Sequence, residues 1–132
     1  MKYLLDVNAL LALGLVDHEF HQRTSSWLHR QPTLELATCA ITEIGFVRLA
    51  CHIAAYGFTV VQAQSILRRL KDSSTQFSFF ADDHDASQLP SWVKNAKQIT
   101  DGHLVTLACA HGAKLATLDE GIPGAYLIEK LS

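Results

Sequence analysis

The sequence predicts a single α/β domain, a mainly parallel sheet with helices on both faces. Two observations carry this. Short β-prone runs alternate with helical patterns along the whole chain, uninterrupted by repeats, linkers or low-complexity stretches. The length, 132 residues, is a common size for one domain, and 48% apolar against 18% charged residues suits a packed core rather than a disordered chain.

The elements follow in order. Residues 2–6 read as a strand ending on Asp6, and Asn8 is placed to cap an apolar helix over 9–15. A second helix over 17–30 carries polar residues and Trp27, and Pro32 breaks the chain before a strand over 34–38. Residues 42–56 form a helix with Ile44, Val47 and Ala50 or Cys51 at helical spacing, ended by Gly57. Thr59 caps the next helix, to residue 70; an aromatic-rich strand spans 76–80, and 81–98 is irregular. Thr100 caps a helix over 101–110 that Gly112 stops, and strands at 114–117 and 125–128 complete the domain, 1–132.

Composition removes several classes. A formal net charge of −2 does not hold nucleic acid by bulk charge, so any such chemistry must rest on a local site. No apolar run approaches the ~20 residues of a bilayer span. Asp6 interrupts the opening residues too early for a signal peptide, so a soluble cytoplasmic protein with no membrane partner is expected. Cys39, Cys51 and Cys109 lack metal-ligand spacing, lie among apolar neighbours, and read as buried thiols in a reducing compartment.

In a parallel sheet the ligand crevice lies beyond the carboxyl ends of the strands. Asp6 and Asp119 fall at such ends, and Glu43 and Asp101 in the first turns of helices that start there, each after a threonine. Each acid alone has an ordinary explanation, as a helix-dipole partner, an Asx-type turn or a loop acid. Together on one edge, in apolar surroundings, they repel one another and lose hydration, which raised pKa values or a bound cation must answer. Mg²⁺ binds such oxygen donors, activates water and stabilises phosphoryl charge.

At these residues the sequence resembles the PIN-domain family. The matching stretches are Leu4-Leu5-Asp6-Val7-Asn8-Ala9, Thr42-Glu43-Ile44-Gly45-Phe46-Val47, Thr100-Asp101-Gly102-His103-Leu104 and Leu115-Ala116-Thr117-Leu118-Asp119, in the family's order. The resemblance is nearest to the toxin subunits of VapBC toxin–antitoxin pairs. It implies a three-layer α/β/α sandwich with a mostly parallel sheet, and a Mg²⁺- or Mn²⁺-dependent endoribonuclease that cleaves RNA phosphodiesters with metal-activated water. It also implies a homodimer and a small cognate antitoxin that occludes the site. By motif position Asp6, Glu43, Asp101 and Asp119 are the catalytic and metal-holding acids, with Asp6 and Asp101 foremost, and Asn8 and Thr117 are accessory. Position 102 is Gly where the family often has Ala, and Glu120 competes with Asp119 for its role.

Other features are read more plainly. Asp82-Asp83-His84-Asp85 is taken as a solvated acidic loop; the alternative, an HD-type phosphohydrolase, needs an all-α fold. His18, His21 and His29 read as one polar helix face rather than a zinc site, and His103 points to a different side of its helix from Asp101. Arg48 is a candidate RNA-phosphate contact, and so, less strongly, are Lys94 and Lys97; Arg68, Arg69 and Lys71 suit the end of a helix equally well. The competing functional reading is a catalytically inactive PIN-like module for RNA binding or protein interaction.

Overall fold

Among the described residues five parallel strands form one sheet, in the order β3-β2-β1-β4-β5. They are β1 (Lys2–Leu5), β2 (Glu35–Cys39), β3 (Gln76–Phe80), β4 (Lys114–Thr117) and β5 (Tyr126–Leu127). The helices are α1 (Val7–Gly14), α2 (His21–His29), α3 (Ala40–His52), α4 (Val60–Lys71) and α5 (Ile99–Ala110), with a 3₁₀ turn at Ala96–Gln98 leading into α5. The computed structural model describes residues 1–31, 33–73 and 76–131; Pro32, the expected breaker, lies outside the described residues.

Two cores flank the sheet and make three layers. On one face Leu5, Leu36 and Ala116 pack with Leu10, Trp27, Phe46 and Leu67 of the first four helices. On the other, Leu4, Ala37, Cys39, Phe80 and Leu115 pack against Leu104 and Leu107 of α5. The alternation along β1, with Leu4 facing one core and Leu5 the other, is the strand period of two applied to a sheet buried on both faces. The fold is therefore the α/β/α sandwich with a parallel sheet that the sequence predicts. An all-α fold, which the HD-type alternative needs, is ruled out. Among the described residues no helix is long and apolar enough to cross a membrane.

Several boundaries differ from the expectation. β1 stops at Leu5 and Asp6 itself caps α1, its Oδ1 accepting from the Ala9 N–H at 2.8 Å. Asn8 is not the cap; it lies exposed in the first turn of α1. α2 starts at His21 rather than residue 17, because His18 Nδ1 accepts from the Phe20 N–H at 2.9 Å and ties the preceding residues into a turn. α3 starts earlier, at Ala40, where the Cys39 N–H donates to Thr42 Oγ1 at 3.0 Å, and it ends at His52 because Ile53 turns extended. Thr59 does cap α4, in a reciprocal pair with Gln62. Thr100 does not cap α5 but lies inside it; Asn95 caps the 3₁₀ turn that feeds it. The cysteines split: Cys39 is buried as expected, whereas Cys51 is half-buried and Cys109 exposed.

Candidate active site

The strand order sets the place. From β1 the chain crosses through α1 and α2 to β2 on one side, while β4 lies on the other side of β1. In open parallel sheets ligands bind where the two directions part, which here is beyond the carboxyl ends of β1 and β4. Asp6 follows β1, and Thr117 ends β4, with Asp119 two residues on. α5 runs back antiparallel to the strands, so its first turn, with Asp101, reaches the same edge.

Asp6 is the most enclosed acid, with 7% of its surface exposed. Its Oδ1 is committed to the Ala9 N–H and its Oδ2 accepts from Thr117 Oγ1 at 2.5 Å. Thr117 Oγ1 in turn accepts from the Asp119 N–H at 3.0 Å, so one buried hydroxyl orients both acids. Burial pushes the Asp6 carboxyl up to about 6; the bonds from Thr117 and Ala9 pull it down, and the charges of Asp101 and Asp119 push it further up. Asp101 is also raised, first by burial and then by Asp119. Asp101 and Asp119 thus lie close enough to Asp6 for their charges to act on it.

Asp119 is exposed and closes a turn, its Oδ1 accepting from the Gly121 N–H at 2.9 Å. Glu120 is spoken for elsewhere, in an exposed pair with Lys130 at 2.8 Å. Glu43 lies on the same edge in the first turn of α3, near α1, where Gly45 meets Val7. It differs from the aspartates: its Oε2 accepts from Thr38 Oγ1 at 2.5 Å and from Lys71 Nζ at 2.6 Å. Among the described residues no three His, Cys, Asp or Glu side chains are grouped closely enough to hold a metal as they stand. The donors that Asp6, Asp101, Asp119 and Thr117 offer are carboxylate and hydroxyl oxygens, which suit Mg²⁺ or Mn²⁺ better than a thiolate- or imidazole-seeking ion.

Sequence reasoning missed Thr38, a fully buried threonine one residue before the end of β2; no local pattern marks it, because Glu43, which it bonds, lies five residues on in α3. The expected solvated loop is only partly so. Asp83 is fully exposed, but Asp82 is largely enclosed and pairs with His103 Nε2 at 2.5 Å, fastening the loop to α5. The three N-terminal histidines share no helix face: His18 precedes α2, His21 bonds the Ala12 carbonyl and His29 the Ser25 carbonyl. Arg48 is exposed beside Glu43, in a groove with Ile44, Val47, Leu67 and Arg68.

Gly102, the departure from Ala, has a local cause. A Cβ there would overlap Val93 Cγ2 and stand 3.3 Å from Pro90 Cδ, because residues 90–93 cross close over α5. Gly102→Ala is expected to destabilise the protein by about 1–3 kcal/mol, overcoming the ~1 kcal/mol that alanine brings to a helix. Urea unfolding decides; a neutral or stabilising result would mean that the 90–93 segment yields freely.

Fold and site together define a doubly wound α/β domain with Asp6, Asp101 and Asp119 gathered at the carboxyl edge of its sheet. The PIN domain family profile matches residues 3–126. The protein named Ribonuclease VapC38 from Mycobacterium tuberculosis is 37% identical over 123 residues, covering 90% of this chain and 86% of the relative. Ribonuclease VapC44 from the same species is 35% identical over 95% of this chain and 94% of its own length, and Ribonuclease VapC39 31% over 99% and 100%. The chain belongs to the PIN-domain family.

Proposed function

We propose that this chain is a VapC-type toxin, a Mg²⁺-dependent endoribonuclease that also accepts Mn²⁺, in a type II toxin–antitoxin pair. The observation that carries this is the gathering of Asp6, Asp101 and Asp119 at the carboxyl edge of the sheet, close enough that the charges of Asp101 and Asp119 push the Asp6 carboxyl up. The relatives' names, all ribonucleases, give the substrate class. The protein would act in the cytoplasm as a homodimer, restrained by a small cognate antitoxin.

In this reading Asp6 and Asp101 hold the cation first, Asp119 and Glu43 complete the set, and Asn8 is accessory. When bound, a divalent cation supplies Lewis acidity toward the phosphodiester and toward its nucleophilic water. The chain's own residues do the rest. The Ala9 N–H and Thr117 Oγ1 fix the plane of the Asp6 carboxylate, and Thr117 keeps Asp119 beside it. Arg48, exposed at the rim next to Glu43, would take an RNA phosphate.

The test is incubation of the purified chain with structured RNA in MgCl₂ and in EDTA. Cleavage in the first and none in the second is expected. RNA that is bound but uncut at every Mg²⁺ and Mn²⁺ concentration would leave the inactive-module reading standing instead.

A further inference from the structure

The rim of the crevice already holds a cation of the chain's own. Lys71, the last residue of α4, reaches across to α3 and donates to Glu43 Oε2 at 2.6 Å. That oxygen also accepts from Thr38 Oγ1, a fully buried strand residue, so the carboxylate is seated from below by the sheet and closed from outside by the ammonium. The two side chains keep only 29% and 21% of their exposure, which separates this pair from the loose, solvated ion pairs of a protein surface. The Phe79 ring, with its centroid 5.4 Å from Nζ, further confines the ammonium. Among the described residues no ion pair involves Asp6, Asp101 or Asp119. Three acids of the edge therefore lack a fixed counter-charge, and the fourth has one.

We propose that Lys71 is a positioning residue that competes with the divalent cation for Glu43, so that metal binding must exchange one cation for the other and Lys71 sets the metal affinity. The inference rests on the reading of Glu43 as a metal ligand. A charge-assisted bond of this kind corresponds to roughly 10-fold or more in an equilibrium constant.

The experiment is calorimetric titration of the metal-free protein with MnCl₂, without RNA. Lys71→Met, which keeps the aliphatic stem against Phe79, is expected to tighten Mn²⁺ binding roughly 10-fold. Lys71→Arg, which keeps the charge, should stay near the wild-type affinity. In a Glu43→Gln background the Lys71→Met effect should fall below about twofold, because the two residues act through one contact. An equal tightening in that background would show that Lys71 acts only by general charge repulsion, and would overturn the proposal. So would unchanged affinity in Lys71→Met while Asp6→Asn abolishes binding; the metal-site reading would then survive. Binding that Asp6→Asn leaves intact, or no binding by the wild type, would remove that reading and this proposal with it. Circular dichroism of each variant checks that the fold is retained.

Discussion

Replacing Asp6 by Asn should lower RNA cleavage by roughly 10³-fold, the scale of losing one strong charge-stabilising group, while making the metal-free protein more stable above pH 6. The second effect follows from burial. The Asp6 carboxyl titrates near 6 in the folded chain, against 3.8 for an unhindered aspartate. Between those values the native state binds more protons than the unfolded one, so this group's contribution to stability falls as pH rises through the window. Above pH 6 the cost is complete, at about 3 kcal/mol. Asparagine never ionises and still caps the helix, since Asn and Asp serve equally there. The variant should therefore exceed the wild type by about 1–3 kcal/mol at pH 7.5 in EDTA, with the difference closing by pH 4. Parallel denaturant titrations across that range read it. A variant less stable than the wild type at pH 7.5 would show that ionised Asp6 is well accommodated without a cation.

The second large effect concerns the frame. Trp27 is fully buried and joins α2 to both β1 and the edge strand β5. Its ring meets Tyr3 edge-on at 5.4 Å between centroids and lies 5.9 Å from Tyr126, to whose hydroxyl its Nε1 donates at 3.2 Å. Trp27→Ala should cost about 3–5 kcal/mol, much of the 5–15 kcal/mol total of a typical domain. Trp27→Phe, which keeps a ring and loses the bond, should cost roughly 1–2 kcal/mol. A loss below about 1 kcal/mol for the alanine variant would mean that α2 contributes little to holding the sheet.

Strand and helix periods made the layers legible, and the strand over 114–117 falls where the alternation places it. The positions of Asp6 and Asp119 after β1 and β4, and of Glu43 and Asp101 in helix first turns, were legible because a parallel sheet carries every strand end to one edge. What stayed hidden depended on contacts between distant elements. Asp6 and Asn8 are both good caps, two residues apart. The choice falls to Asp6 because sheet pairing runs through its own N–H, which donates to the Ala116 carbonyl at 3.1 Å, and the helix starts at once. No local pattern couples residue 43 to residue 71, or residue 82 to residue 103. Those pairs exist because α4 ends beside the start of α3, and because the loop after β3 folds back over α5. Nor does any local pattern show that Glu120 pairs with Lys130 while Asp119 closes a turn onto the Gly121 N–H.

Thermal unfolding with and without saturating MnCl₂ at pH 7.5 tests most directly whether the acidic edge is a cation site. A ligand at 100 times its Kd adds about 2.7 kcal/mol to the folded state. The wild type and a Glu120→Gln control should show that rise in Tm, and Asp6→Asn and Asp101→Asn should show little or none. A shift in Asp6→Asn as large as in the wild type would contradict the account.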